Sequence, residues 1–192
     1  DKPAEDVLRS WYGGPLRRTP SPPQPDPSRS LVIYDDDLAP GWEDGSWKAA
    51  VNFAATASVH SGARAIAVTA EGWGAPRLNH PPFEAGPYHW LEFWVRLAAP
   101  QQDLRMIAYD ADWGERRGRN LSGCRYTEGA PIPAGVWTRV RIPLADMDAQ
   151  RSLTGLAFQN WGDETAQFRL DDIRLLGARW RVQVPLAAHS HQ

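Results

Sequence analysis

The side chains best placed to do chemistry in this chain are tryptophans, ten in all. Several sit in polar, turn-like settings: Gly41-Trp42-Glu43-Asp44, Gly45-Ser46-Trp47, Gly72-Trp73-Gly74, Asp112-Trp113-Gly114 and Asn160-Trp161-Gly162. Core aromatics normally lie inside apolar strand or helix runs, so an indole between Gly and Asp points to a different use. Its flat ring offers a stacking surface, and its N–H offers a directional handle. Sugar rings, nucleobases and protein partners all dock on such surfaces.

Other reactive groups are scattered. Glu92 lies beside Trp94, Asp110 and Asp112 lie beside Trp113, and His80 and His89 precede Arg-rich strands. Acid–base chemistry on a polysaccharide needs paired carboxylates or converging Tyr, His and Arg groups, and none of these residues forms a recognisable signature. His60, His80 and His89 lack metal-ligand spacing, and His189-Ser190-His191 falls in the tail. The single cysteine, Cys124, excludes an internal disulfide and Cys-pair zinc sites. It is expected to pack as a small thiol near a turn.

A net charge of −2 and a pI near 6.2 leave no electrostatic footprint for nucleic acid. The Arg clusters (Arg116, Arg117 and Arg119; Arg179 and Arg181) are short and lie near acids. No apolar stretch is long enough to span a membrane. The chain begins at Asp1 rather than Met, consistent with processing or excision, and any signal segment would lie outside it.

The elements that hold these residues follow from pattern. Residues 1–30 are expected to form a short amphipathic helix over 3–12, stopped by Gly13-Gly14, and then an extended run over Pro15–Pro27. That run is a semi-rigid spacer: either a tether to an envelope or larger assembly, or a strap along its own domain. Residues 31–176 show period-two alternation in short runs cut by Gly, Pro, Asp and Asn. The runs are 31–34, 64–69, 90–97, 104–109, 137–142, 156–159, 168–170 and 173–176. With no long helical pattern, the fold class is all-β, a β-sandwich of jelly-roll type. Residues 177–192 form a polar or irregular tail.

Alternation also sorts faces. Leu91, Phe93, Val95 and Leu97 point inward, leaving Glu92, Trp94 and Arg96 outside. Leu104, Met106 and Ala108 face the core, so Arg105, Ile107 and Tyr109 face out. Val140 and Ile142 face in, Arg139 and Arg141 out. One outer face is thus expected to collect Trp94, Tyr109, Arg and Glu, either open to a sugar or covered by another layer. Trp90 and Trp137 are read as packing residues, Trp11 and Trp180 as contacts of the terminal segments.

Tyr34-Asp35-Asp36, Leu38, Gly41-Trp42, Trp47 and the run Val59-His60-Ser61-Gly62-Ala63-Arg64-Ala65-Ile66-Ala67-Val68 resemble the N-terminal half of jelly-roll carbohydrate-binding modules. The closing Phe168-Arg169-Leu170-Asp171-Asp172-Ile173 resembles their last strand. The likeness, to the galactose-binding-like superfamily that includes modules attached to cellulases and xylanases, covers residues 31–176. It implies non-catalytic polysaccharide binding by aromatic residues on a concave face or in edge loops. It also implies a structural Ca²⁺ where first and last strands meet, with Asp37 and Asp171 as the ligands; the family's usual ligating Glu near the start has no counterpart.

The expectation is therefore a binding module for an extracellular polysaccharide, a β-glucan or similar, in a secreted or bacterial cell-envelope protein. Trp42, Trp47, Trp73, Trp113 and Trp161 are the loop platforms, and Trp94 and Tyr109 the sheet-face platforms. Arg105 and Gln159 supply hydrogen bonds. Two alternatives stand beside it: a structural subunit of an envelope or secreted assembly, with an envelope or enzyme partner met through the N-terminal segment, and a polysaccharide-degrading enzyme on the same scaffold.

Overall fold

The computed structural model describes residues 23–100, 103–111, 114 and 118–179. The expected helix over 3–12, most of the Pro-rich run and the tail lie outside them, as do Trp11, Trp113 and Trp180. The strands are β1 (Gln24–Tyr34), β2 (Glu43–Asp44), β3 (Trp47–Ala55), β4 (Ala65–Ala75), β5 (Arg77–Glu84) and β6 (Trp90–Leu97). Then follow β7 (Leu104–Asp110), β8 (Arg119–Asn120), β9 (Thr138–Pro143), β10 (Ser152–Asn160) and β11 (Ala166–Arg179). A 3₁₀ turn, Leu144–Met147, links β9 to β10.

Two antiparallel sheets face each other, forming the jelly-roll β-sandwich. The first runs β3-β4-β11-β6-β9 with β1 also paired to β11; the second runs β2-β5-β10-β7-β8. Large apolar side chains from both sheets fill the space between them. Phe93 of the first sheet meets Phe158 of the second edge to face, with centroids 5.0 Å apart and planes at 88°, a favoured aromatic geometry. The inward set read from alternation is buried: Leu91, Phe93, Val95, Leu97, Leu104, Met106, Ala108, Val140 and Ile142.

Three features differ from the expectation. The first strand starts at Gln24, inside the segment read as spacer, and the last runs to Arg179, past residue 176. Residues 168–170 and 173–176 belong to one strand, β11. Its ladder shifts register between Asp171 and Arg174, where Asp172 has a φ of 50°. Cys124 is exposed rather than packed.

Candidate functional site

The outer surface of the second sheet gathers most of the residues singled out by sequence. Gln159 of β10 stands directly opposite Arg105 of β7, Ala157 opposite Ile107, and Gly155 opposite Tyr109. Trp47 packs over Ala75, Ile107, Tyr109 and Ala157, a small apolar cluster separate from the main core. The Trp47 indole N–H donates to the Trp73 carbonyl at 3.0 Å, and the Gln159 carboxamide donates to that same oxygen at 3.0 Å. Two side chains thus hold the backbone of Trp73 in place.

Trp73 itself is presented by a distorted piece of β4. Its φ of 63° puts a bulky residue in the left-handed region, which is sparsely populated except by Gly. Its neighbours explain the sequence Gly72-Trp73-Gly74. A Cβ on Gly72 would collide with the Asp163 carbonyl, and one on Gly74 with the Lys48 carbonyl. Only bare backbone lets the three segments approach, and the pairing of β3 with β4 slips between Trp47 and Ala49 at this point. Such bulges re-aim a side chain, and backbone strain of this kind concentrates at functional sites.

The Trp73 indole N–H donates to Asp163 Oδ1 at 2.7 Å. Its ring meets Trp161 edge to face, centroids 4.9 Å apart. The Arg105 guanidinium lies over Trp161, 4.2 Å from its centroid, a cation–π contact that fixes the ring. Trp73 and Trp161 remain 40% and 36% exposed, which makes them the open aromatic shelf of this side. Beside Trp161 a notch of about 220 Å³ is lined by Asp103, Asn160, Asp163, Glu164 and Thr165 among others. Buried Asn160 donates to the carbonyls of Glu71 and Glu164 at 3.0 and 2.6 Å, stiffening the loop that carries Trp161.

Of the expected site residues, Trp47, Trp73, Trp161, Arg105, Gln159 and Tyr109 are brought to this one side. Tyr109 is not a platform: it is 9% exposed, and the Arg77 guanidinium covers its ring at 3.8 Å. Burial lowers the pKa of Arg77, with Tyr109 acting in the opposite sense. Trp42 is not a loop platform either. It joins the main core at 6% exposure, against His80 and Phe83 at 4.9 and 5.5 Å. Trp113 lies outside the described residues.

Trp94 is separated from the rest. It lies on β6 of the first sheet, so Trp94 and Tyr109 do not share an outer face. The His60 imidazole stacks on it at 3.7 Å and 18°. Trp137, read as core, is half-buried at the edge of His60, 5.8 Å away. His60 Nδ1 lies 2.6 Å from Asp172 Oδ2. Sequence reading missed His60 and Asp163. Asp163 follows Trp161 by two residues and so carried a local signal; the His60 stack joins residues far apart in the chain and left none.

The two acids expected to hold calcium are engaged by protein donors. Asp171 Oδ2 accepts the His60 and Ser61 N–H groups at 2.8 and 3.3 Å, and Oδ1 accepts that of Asp172 at 2.9 Å. Burial raises the pKa of Asp171 despite these bonds. Asp37 pairs with Arg64 at 2.6 Å. Among the described residues no three or more His, Cys, Asp or Glu side chains gather into a metal-holding group. Hard cations need convergent oxygens, and this arrangement of N–H donors and a guanidinium does not fit one.

No protein-family model matches the chain, and no curated protein matches it. Solved structures do. A mutant family 29 carbohydrate-binding module complexed with mannohexaose aligns with a TM-score of 0.54 at 10% identity, over 80% of this chain and 92% of that one. A second mutant, complexed with cellulohexaose, gives 0.53 at 13%, over 77% and 89%. The family 29 module itself gives 0.53 at 13%, over 77% and 87%. Across so low an identity the likeness is one of architecture: this chain has the fold of family 29 carbohydrate-binding modules.

Proposed function

We propose that this chain is a non-catalytic module that binds an extracellular polysaccharide, a β-glucan or similar, on the shelf formed by Trp73 and Trp161. One observation carries the reading. Trp73 is held half-exposed in a strained backbone conformation by Trp47, Gln159, Asp163 and two obligatory glycines, next to a second half-exposed indole. A pyranose packs its C–H face on an indole and bonds its hydroxyls to flanking polar groups. Arg105, Gln159, Asp103 and Asp163 stand within that neighbourhood. The architecture supports the same reading, since the structures it resembles are carbohydrate-binding modules, two of them complexed with hexasaccharides.

A secreted or envelope location, and an envelope or enzyme partner met through the N-terminal segment, complete the proposal. Among the described residues no helix is long and apolar enough to cross a membrane. Affinity electrophoresis in gels cast with different soluble glucans and glucomannans tests the binding claim. Retardation that Trp73→Ala and Trp161→Ala both abolish is expected. Unretarded migration through every polymer would end the proposal.

A further inference from the structure

The outer face of the first sheet carries a charge arrangement that folding alone does not explain. Arg169 of β11 lies directly opposite Arg96 of β6. Like charges at directly opposed positions of an antiparallel pair repel and destabilise it. The neighbouring arginines on this face have carboxylate partners: Arg139 pairs with Glu128, and Arg141 and Arg174 both pair with Glu92. Among the described residues, Arg96 and Arg169 have none. The Arg96 Nε–H donates to the Gly135 carbonyl at 2.8 Å, which fixes its fork without neutralising it. Arg169 Nη1 is screened from water and lacks a hydrogen-bond partner, a costly state for a donor on a charged group.

Both guanidiniums line a groove of about 490 Å³, floored by Ala50 and Ala67 and edged by Asn52 and Thr69. Its size is within the range of small-molecule sites. The register sets the rows: Asn52, Ala67, Arg169 and Arg96 lie side by side across four strands. Two residues along β6 from Arg96 is Trp94, which with Trp137 and Arg139 lines an adjoining hollow of about 290 Å³. The small floor residues leave depth above the sheet, and among the described residues no acidic side chain lines the groove.

We propose that Arg96 and Arg169 form a binding site for the carboxylate of an acidic sugar, a uronate residue of a glycan lying along this face. Two planar forks on facing strands present paired N–H donors, the geometry that takes up a carboxylate bidentately. The anion relieves the repulsion between the two cations, and a turn of the Arg169 fork toward the groove gives the screened Nη1 the acceptor it lacks. Asn52 and Thr69 stand where ring hydroxyls would fall. That the carboxylate is borne by a sugar rests on the polysaccharide reading above. The site shares no residue with the Trp73–Trp161 shelf: it lies on the outer face of the first sheet, whereas Trp73 stands in the distorted end of β4 and Trp161 just beyond β10 of the second sheet.

The test compares polygalacturonate with its carboxyl-reduced, neutral counterpart in affinity electrophoresis at neutral pH and low salt. Alongside it, arginine Nε–Hε NMR signals are followed during titration with free galacturonate. The wild-type chain should prefer the acidic polymer by roughly tenfold or more, the order of one charge-assisted pair. R169Q and R96Q should abolish that preference and leave retention by neutral glycans unchanged; galacturonate should shift the Arg169 Nε–Hε signal. Equal retention of both polymers overturns the site yet leaves the polysaccharide reading standing. Loss of retention by all polymers with a persistent galacturonate shift at Arg169 keeps the carboxylate site and removes the glycan reading. A sulfated glycan retained more strongly than the uronate, and lost in R169Q, overturns the carboxylate assignment.

Discussion

The indoles of Trp73 and Trp161 meet at 82° between planes, and each is restrained from its other side, Trp73 by its N–H bond to Asp163 and Trp161 by the Arg105 guanidinium. Each therefore presents a set surface at little entropic cost to binding. Trp73→Ala and Trp161→Ala should each weaken glycan binding by on the order of 1–3 kcal/mol, reading base–aromatic stacking across to sugars by analogy. Isothermal titration with an oligosaccharide of the retained polymer measures the loss. Unchanged affinity in both variants would remove the shelf from the binding site.

Trp42 provides the opposite outcome. It is packed in the core against His80 and Phe83, and cutting a buried aromatic to Ala costs about 3–5 kcal/mol of folding stability. Trp42→Ala should lower the urea midpoint strongly while leaving glycan affinity of the folded fraction intact. An affinity loss with unchanged stability would mean that Trp42 touches ligand.

Alternation made the inward faces of β6, β7 and β9 legible, because Leu, Phe, Val, Met and Ile occupy every second position there. It could not say which sheet a strand joins, so Trp94 and Tyr109 were expected on one face and lie on two. β3 escaped notice because alanines occur on both of its faces, Ala49 and Ala55 among the inward residues and Ala50 and Ala54 among the outward ones, which blurs the alternation of Val51 and Phe53 with Asn52. β5 contains Pro81-Pro82, which argue against a strand. Asp171-Asp172 looked like a break, yet β11 absorbs them as a bulge. Glycine-flanked indoles revealed Trp73, whereas Trp42 in a similar setting turned inward: local composition marks a turn, and tertiary packing decides what the turn's side chain meets.

Gly74 tests whether backbone closeness aims the Trp73 ring. A methyl group there meets the Lys48 carbonyl oxygen, and backbone atoms cannot swing aside as a side chain can. Gly74→Ala should cost about 1–3 kcal/mol of stability, the usual scale for overpacking. It should also weaken glycan binding, because relief of the clash moves β3 with Trp47 and so shifts the bond that Trp47 makes to Trp73. Thermal melting and affinity electrophoresis on the same sample read the two effects. Full affinity in a destabilised Gly74→Ala variant would show that the ring's aim is independent of this contact.

Calcium implied by the family resemblance can be tested directly. With Asp171 held by three backbone N–H groups and Asp37 by Arg64, chelation should leave both melting temperature and glycan retention unchanged. A drop in melting temperature with chelator, restored by added Ca²⁺, would require these acids to rearrange around the ion.

Glu92 gives the sharpest pH prediction. Its carboxylate is 3% exposed and receives Arg141 Nε–H at 2.8 Å and Arg174 Nη2–H at 2.7 Å. Burial is the largest single influence on its pKa and acts upward. The combined bonds and charges of Arg141 and Arg174 outweigh it, so the pKa ends below the ordinary 4.5. A depressed carboxylate pKa stabilises the fold above the unfolded value, and that contribution is lost as pH falls through the folded value. The wild-type chain should therefore lose stability on acidification from about pH 4.5 downward. Asp171, raised by burial, has the opposite sign, so the Glu92 share is isolated by difference. Glu92→Gln should cost about 1–3 kcal/mol at neutral pH, since the guanidiniums left behind are 33% and 37% exposed and remain partly hydrated. The gap between wild type and Glu92→Gln in urea melts should narrow steadily below pH 4.5. A gap constant down to pH 2 would mean that the carboxylate's charge contributes nothing to the fold.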